Sequence, residues 1–136
     1  MSPRVSVIVP CYNEAQTISL LLSALNRQTV KDFEIVAADG MSEDGTRQAI
    51  REFASKHPEM SIRVVDNPKR TIPSGLNLAI ADSQGEILLR LDAHSIPDQD
   101  YIERCLEILQ ATGAANVGGV WEIRPLGQGW LARGIA

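Results

Sequence analysis

Side chains that can bind metal ions or nucleotides follow short apolar runs in this sequence, at the point where each run ends. Asp39 and Asp92 come directly after two such runs, and His94 lies two residues beyond Asp92. Carboxylate and imidazole groups bind divalent metal ions, and a carboxylate also accepts hydrogen bonds from N–H donors. These residues therefore predict a polar binding site, provided that the fold brings them together.

The apolar runs have the length and composition of buried strands, and residues with the spacing of one helical face follow the first four of them. The strands are predicted at residues 5–9, 33–38, 62–65, 86–91 and 115–121. The helical faces comprise Ile18, Leu21, Leu22 and Leu25; Ala49, Ile50, Phe53 and Ala54; Ile72, Leu76, Ala79 and Ile80; and Ile102, Cys105, Leu106 and Leu109. Strands that alternate with amphipathic helices predict a three-layer α/β/α fold with a mostly parallel sheet.

Capping and helix-breaking residues predict where the helices begin and end. Helix starts are predicted at Asn13, Asp44, Thr71 and Pro97, and the third helix is predicted to end at Gly85. The loops that follow the strands then meet at one edge of the sheet, where open parallel sheets bind their ligands near the reversal of strand order.

Each polar loop residue also has a purely structural interpretation. Asn13 and Glu14 could cap the first helix, and a lone histidine such as His94 is more often an ordinary loop residue than a metal ligand. Helix capping gives no reason, however, for Asp39 and Asp92 to stand at the same edge, each after a buried strand. The joint pattern therefore favours a ligand site.

Length and composition limit the other possibilities. The 136 residues, 44% of them hydrophobic, are enough for one domain of ordinary size, so residues 1–136 are predicted to form a single domain. The formal net charge of -4 argues against a nucleic-acid surface and against a basic membrane patch. The two cysteines form no C-x-x-C pair, and no apolar run approaches the roughly 18 to 20 residues of a membrane span. A cytoplasmic setting is predicted.

Four motifs, taken in order, resemble a known family. They are V-S-V-I-V-P-C-Y-N-E at residues 5–14, A-D-G-M-S-E-D-G-T at 38–46, N-P-K-R at 67–70 and G-E-I-L-L-R-L-D-A-H at 85–94. They resemble the N-terminal, donor-binding part of family 2 glycosyltransferases, closest to the branch that builds succinoglycan-like bacterial exopolysaccharides. The resemblance implies the GT-A nucleotide-diphospho-sugar transferase fold, an enzyme of the hexosyltransferase class and a nucleoside diphosphate sugar as donor, UDP-linked in the first instance.

The resemblance also implies which residues contact the donor. The matching positions for nucleotide-sugar binding are Pro10, Tyr12, Glu14, Asp39, Arg70 and Asp92. Tyr12 offers an aromatic face to a uracil, Asp39 can accept its imide N–H, and Arg70 can donate two hydrogen bonds to a phosphate. Asp92 matches the first acid of the family's metal-binding D-x-D motif.

His94 stands where that motif usually has its second acid, so Asp92 and His94 are the predicted metal ligands. A neutral imidazole beside a carboxylate suits Mn²⁺ better than Mg²⁺, which prefers an all-oxygen shell. Metal binding is expected to weaken as His94 protonates near about pH 6.

The catalytic base and the acceptor-binding part are not recognised in the sequence. Glu122 does not match the family's base motif, so the base is expected beyond Ala136, in a longer glycosyltransferase from which this chain is truncated. The acceptor would be a polysaccharide or a lipid-linked molecule, the full-length protein would work at the cytoplasmic face of the membrane, and this chain alone would be inactive.

Two alternatives stay open at this point. One is a non-catalytic nucleotide-binding or protein-interaction module with a transferase-like fold. The other is an unrelated doubly wound protein, although the sequence has neither G-x-G-x-x-G nor G-x-x-x-x-G-K-[ST], the motifs of dinucleotide-binding and P-loop proteins.

Overall fold

A computed structural model describes residues 2–120 and Glu122, in which strands and helices alternate as predicted. The elements in chain order are β1 (Val5–Cys11), α1 (Ile18–Asn26), β2 (Phe33–Asp39), α2 (Thr46–Lys56), β3 (Ser61–Asp66), α3 (Ile72–Asp82), β4 (Ile87–Arg90) and α4 (Tyr101–Thr112). The chain divides into two units, Met1–Glu103 and Arg104–Ala136. The single domain expected over residues 1–136 stays a prediction.

The first unit contains a four-stranded parallel sheet with the strand order β3-β2-β1-β4. From β1 the chain adds β2 and β3 on one side and then crosses to the other side of β1 to add β4. The strand order therefore reverses between β1 and β4. In open parallel sheets this point forms a crevice at the carboxyl ends of the strands, where ligands bind.

The core lies on both faces of the two central strands. Val5, Val7 and Val9 of β1 are at most 1% exposed, and the α1 face that packs inward is the predicted one. Strands that are buried on both faces read as continuous apolar runs, because neither face contacts water. This is why the sequence located β1 and β2 so closely.

The predicted face of α3 is wrong in part. Ile72 and Ile80 are exposed, at 55% and 43%, whereas Gly75 and Ala79 are buried. A Cβ added at Gly75 would lie 3.0 Å from Nδ2 of the buried Asn67, tighter than an ordinary contact, so a small residue fits best where α3 faces the sheet. Because α3 lies close to the sheet, the helix buries the face with Gly75 and Ala79, and the larger apolar side chains are left outside.

A buried carboxylate connects the amino-terminal parts of the strands. Glu34 of β2 is 1% exposed, and its Oε1 accepts hydrogen bonds at 2.6 Å from Ser6 Oγ of β1 and from the backbone N–H of Gln84. Arg63 of β3 donates to Glu34 Oε2 at 2.6 Å. Burial acts to raise the pKa of Glu34, but these hydrogen bonds outweigh it and hold the pKa below its usual range.

Gly85 has a different role from the predicted one. The helix α3 ends at Asp82 with Ser83 as its cap, so Gly85 lies beyond the helix and does not end it. A Cβ at Gly85 would lie 2.7 Å from the backbone N of Ser6. The position requires glycine because the α3–β4 connection passes directly against β1.

The other predicted helix starts gave mixed outcomes. The prediction at Thr71 is confirmed, because α3 follows it and its side chain accepts from the N–H of Ser74 at 3.4 Å. Asp44 accepts from the N–H of Thr46, the first residue of α2, at 3.1 Å. The helix α1, in contrast, begins at Ile18, well after Asn13. The helix α4 begins at Tyr101, four residues after Pro97.

Asn13 does not cap α1 because its side chain is used elsewhere. Its backbone has a positive φ of 51°, and its Oδ1 accepts a hydrogen bond from the N–H of Glu43 at 2.9 Å. The β1–α1 loop is thereby tied to the β2–α2 loop, an interaction between distant residues that no helix-start rule contains.

The second unit, as far as it is described, contains the rest of α4 and residues 113–120. These residues form no strand and are largely exposed, so the strand predicted at 115–121 is not formed over 115–120, and Trp121 lies outside the described residues. A strand is stable where a neighbouring strand forms hydrogen bonds with its backbone. Two consecutive glycines, Gly118 and Gly119, weaken the tendency of this segment to form a strand. No helix in the described part of the chain is long and apolar enough to cross a membrane.

Candidate functional site

A cleft of about 190 Å³ opens at the carboxyl ends of β1 and β4, where the strand order reverses. Its walls come from the loops after β1, β3 and β4 and from the start of α3. The lining residues are Pro10, Cys11, Tyr12, Glu14, Asn67, Arg70, Thr71, Ile72, Arg90, Asp92, Ala93 and His94. Six of the seven predicted site residues are therefore together, and the seventh, Asp39, does not line the cleft.

One wall of the cleft carries an aromatic ring with a cation above it. Tyr12, in the loop after β1, is 45% exposed, and the guanidinium carbon of Arg70 lies 5.8 Å from the centre of its ring. Arg70 follows β3 and has a positive φ of 60°, an uncommon conformation for a residue with a side chain. The two loops thus present a flat apolar face and a positive charge to the same space.

The β1–α1 loop that carries Tyr12 and Glu14 is fixed by hydrogen bonds to the β2–α2 loop. The N–H of Asn13 donates to Ser42 Oγ at 2.9 Å, and the N–H of Glu14 donates to Thr46 Oγ1 at 2.9 Å. The N–H of Ala15 donates to the side chain of Asp44 at 3.0 Å. These hydrogen bonds position the loop without a regular secondary structure.

Asp39 lies behind the cleft wall and is fully buried. Its carboxylate accepts hydrogen bonds from the N–H and Oγ of Ser42, at 3.0 and 2.5 Å, and from Arg47 Nε at 2.5 Å. Burial acts to raise its pKa, but the hydrogen bonds from Ser42 and Arg47 outweigh burial and lower it. The hydrogen bond of Asp39 to a nucleobase stays a prediction.

Cys11 ends β1 between the cleft and this carboxylate. The residue is 6% exposed, and its Sγ lies 3.8 Å from Asp39 Oδ1. Burial, and then the neighbouring negative charge of Asp39, raise the pKa of Cys11 to about 12. The thiol is therefore protonated at neutral pH and is not a thiolate nucleophile or metal ligand.

The segment after β4 alternates between buried and exposed side chains. Leu91 and Ala93 are each 2% exposed, while the side chains of Asp92 and His94 between and after them are 36% and 61% exposed. Ser95 closes the turn, because its N–H and Oγ donate to the carbonyl of Asp92 at 3.0 and 2.7 Å. The alternation presents Asp92 and His94 to the cleft together.

Both of these residues have a charged neighbour. Arg90 Nη2 lies 3.3 Å from Asp92 Oδ1, and His94 Nδ1 lies 3.3 Å from Glu14 Oε1. The other oxygen of Glu14 accepts from Thr17 Oγ1 at 2.8 Å, which fixes the carboxylate. A carboxylate on Nδ1 favours the tautomer that leaves Nε2 unprotonated and able to bind a metal ion.

The donor set fits a metal ion that is completed by a ligand. Within the described residues, no group of three or more histidine, cysteine or acidic side chains is placed to hold a metal ion. Asp92 and His94 supply two ligands at most. Ions that bridge phosphates are commonly held in this way, with one or two protein ligands and the remaining positions taken by phosphate oxygens and water.

Three residues near the site were missed from the sequence. Arg90 and Asn67 line the cleft, and Arg47 links Asp39 to Asp66 by hydrogen bonds at 2.5 Å to each. Asn67 is 3% exposed, and its Oδ1 has no hydrogen-bond partner among the described residues. Arg90 could have been found, since it stands two residues before Asp92 on the same side of an extended strand.

Comparison with known proteins agrees with this geometry. Residues 6–135 match the family described as Glycosyl transferase family 2. The chain belongs to this family. The resemblance seen in the sequence is therefore confirmed, and the unrelated doubly wound protein is excluded.

Relatives in this family include a protein from the expected branch. The chain is 39% identical over 114 residues to the succinoglycan biosynthesis protein ExoA of Rhizobium meliloti, which covers 82% of this chain and 34% of that protein. It is 35% identical over 119 residues to the glycosyltransferase AglE of Haloferax volcanii, covering 86% of this chain and 39% of AglE. This family 2 chain thus spans little more than a third of the length of these relatives.

Solved structures share its fold. The mannosyltransferase PcManGT of Pyrobaculum calidifontis, solved in complex with GDP-Man and Mn²⁺, has a TM-score of 0.75 and 34% identity, covering 80% of this chain and 33% of PcManGT. TarS of S. aureus, solved with UDP-GlcNAc, has a TM-score of 0.71 at 23% identity, covering 93% and 39%, and supports the fold alone. The predicted GT-A fold is confirmed.

Proposed function

We propose that this chain is the donor-binding part of a glycosyltransferase that transfers a sugar from a nucleoside diphosphate sugar, held through a divalent ion, to a polysaccharide or lipid-linked acceptor. The observation that carries the proposal is the cleft at the strand-order reversal. It combines an aromatic face, two arginines, two carboxylates and an imidazole within about 190 Å³. That combination suits the base and the diphosphate of one nucleotide, together with the metal ion that the diphosphate binds.

Each residue of the cleft is proposed to contact a different part of the ligand. Tyr12 stacks on the base, and Arg70, whose guanidinium lies above the Tyr12 ring, binds beside it or to a phosphate oxygen. Pro10 and Glu14 shape the loop that carries Tyr12, and Asp39 accepts from the base if the loop before Ser42 opens. Asp92 and His94 hold the metal ion.

A divalent ion at Asp92 and His94 would supply charge neutralisation for the diphosphate and stabilise it as the leaving group. Neighbouring side chains position these two metal ligands. Glu14 holds His94 with Nε2 directed away from their contact at Nδ1, and Ser95 fixes the backbone of Asp92. An imidazole in the donor set favours Mn²⁺ over Mg²⁺, and PcManGT was solved with Mn²⁺.

The donor's base and the remainder of the enzyme are also part of the proposal. UDP is the first candidate, but GDP is tested beside it because PcManGT binds GDP-Man. Relatives more than twice as long as this chain support an acceptor site and a catalytic base beyond Ala136. The whole protein would then act at the cytoplasmic face of the membrane, with residues 1–136 as one nucleotide-sugar-binding domain without activity of its own.

Calorimetric titration of UDP, GDP and NAD, each with and without Mn²⁺ or Mg²⁺, tests the proposal. We expect one nucleoside diphosphate to bind only with metal, and this binding to be lost in Asp92→Ala and weakened in His94→Ala. Asp32→Ala is the matched control, because Asp32 is an exposed acid just before the amino end of β2. Absence of nucleotide binding with either metal would refute the donor-binding role and favour a non-catalytic interaction module.

A further inference from the structure

The last residue of β4 is an arginine that the family resemblance did not single out. Arg90 lines the cleft, its side chain is 50% exposed, and its Nη2 lies 3.3 Å from Asp92 Oδ1. Among the residues that the structure describes, its side chain has no second hydrogen-bond or ion-pair partner, and its backbone pairs with Ile8 in the sheet. The guanidinium thus contacts the very carboxylate that is proposed to hold the metal ion.

The charges in the cleft indicate what Arg90 could bind. With a neutral His94, the charged side chains that line the cleft are two acids, Glu14 and Asp92, and two arginines, Arg70 and Arg90. A nucleoside diphosphate sugar brings two negative charges and the divalent ion two positive charges. The filled cleft is electrically balanced with both arginines present and carries a net negative charge without Arg90.

Position separates the roles of the two arginines. Arg70 lies over the ring of Tyr12, in the loop after β3, whereas Arg90 contacts Asp92. A diphosphate that shares a metal ion with Asp92 must lie within a few ångströms of that carboxylate. Arg90 is on a strand, so its backbone is held by the sheet while its half-exposed side chain can turn from one oxygen to another.

We infer that Arg90 is a diphosphate-binding residue that exchanges partners: it pairs with Asp92 before the metal ion binds, and with a phosphate oxygen once the metal ion has taken Asp92. This inference rests on the proposed donor-binding function and assigns one more contact within it. A guanidinium suits the second partner well, since its planar set of N–H donors matches two phosphate oxygens.

The exchange has consequences of opposite sign. Because Arg90 and the metal ion compete for Asp92, removing the guanidinium should tighten metal binding in the absence of nucleotide. An exposed ion pair corresponds to an effect of about twofold to fivefold. Removing the same guanidinium should weaken binding of the diphosphate to the metal-loaded protein by about tenfold or more, the usual effect of a lost charge-assisted hydrogen bond.

Two titrations of Arg90→Gln and Arg90→Lys test the inference. Binding of Mn²⁺ alone is followed by electron paramagnetic resonance, and binding of UDP and GDP at saturating Mn²⁺ is followed by calorimetry. We expect Arg90→Gln to bind Mn²⁺ about twofold to fivefold tighter and the diphosphate about tenfold weaker. Arg90→Lys, which keeps the charge but not the fork, should fall between it and the wild type. Arg51→Gln, an exposed arginine on α2, is the control that should change neither.

The direction of the two changes decides the outcome. If Arg90 had a merely structural role, Arg90→Gln would weaken the binding of both Mn²⁺ and the diphosphate. If Arg90 had no role, the variant would bind both ligands as the wild type does. Either result overturns the inference. If Arg90→Gln does not fold, Arg90→Lys still has to show the weaker diphosphate binding. A wild-type chain that binds neither Mn²⁺ nor a nucleoside diphosphate would refute the proposed function itself, and this inference with it.

Discussion

Replacement of the buried carboxylate Glu34 by glutamine tests whether one residue holds the sheet together at its amino-terminal end. Glu34 accepts from Ser6, Gln84 and Arg63, so it joins β1, β2 and β3 to the connection that leads into β4. Glutamine has nearly the same shape but one N–H₂ group in place of an oxygen. In either orientation of the amide, that donor faces another donor.

The expected loss follows from these contacts. Breaking a fully buried ion pair costs about 3 to 5 kcal/mol, because the remaining charge is left without a partner. Arg63 is one-third exposed and keeps its hydrogen bond to Asp82 at 2.8 Å, so water and Asp82 compensate part of the loss. We therefore expect Glu34→Gln to lower the free energy of unfolding by about 2 to 3 kcal/mol at pH 7.

The pH dependence of the difference identifies the cause. Because the pKa of Glu34 is lowered in the folded state, its ionised form stabilises the fold above the unfolded pKa of about 4.3, and this stabilisation is lost as the pH falls through the folded value. The difference between wild type and Glu34→Gln should be complete at pH 7 and should shrink below about pH 4.

Urea unfolding followed by circular dichroism at several pH values measures this difference. With a urea dependence of about 2 kcal/mol per molar, the midpoint should fall by about 1 to 1.5 M. Glu52→Gln, on the exposed side of α2, should change the free energy of unfolding by less than about 0.5 kcal/mol. A loss below about 1 kcal/mol at pH 7, or a difference that does not change with pH, would refute the role given to Glu34.

Three other predictions concern the same unit and its boundary. Gly85→Ala should lower the free energy of unfolding by about 1 to 3 kcal/mol, because its Cβ would collide with β1. Gly118→Ala should be neutral in the same urea assay, because its Cβ would have no contact within 4 Å among the described residues. Arg47→Met should raise the pKa of Asp39 in a carboxyl-carbon NMR titration; an unchanged pKa would show that Arg47 does not stabilise the charge. Cys11 should resist thiol reagents at pH 8 until the protein unfolds, since its pKa is about 12 and it is 6% exposed; rapid labelling of the native chain would contradict this.

Much of the fold followed from local sequence patterns because its central strands are buried on both faces. The apolar runs located β1 and β2 to within two residues, and the face of α1 was correct throughout. The pattern failed at α3, where a Cβ at Gly75 would lie 3.0 Å from Asn67 Nδ2 and where Ile72 is exposed. Hydrophobic periodicity records the spacing of apolar side chains along a helix, and it carries no information on how closely that helix approaches the sheet.

The site was predictable where it depends on strand ends and unpredictable where it depends on pairing. Asp92 and His94 follow a strand, so the parallel sheet alone brings them to the edge that the sequence indicated. Asp39 follows a strand as well, yet it is buried behind the cleft by Ser42 and Arg47. The helical position that turns Arg47 towards β2 depends on how α2 packs, which the spacing of charged residues does not encode.

The same sheet register that buries Asp39 also accounts for the shape of the cleft. Cys11, Asp39 and Asp66 are aligned across β1, β2 and β3, and Arg47 closes this row by contacting both carboxylates. On the other side of β1, the pairing with β4 ends at Arg90, which leaves the following residues free to turn towards the loop of Tyr12. On the β2 side the carboxylates are therefore paired with Arg47, whereas on the β4 side the strand ends border the cleft. The proposed ligand site therefore lies at the β1–β4 boundary because of the strand order, and the single-residue alternation from Arg90 to His94 decides which side chains line it.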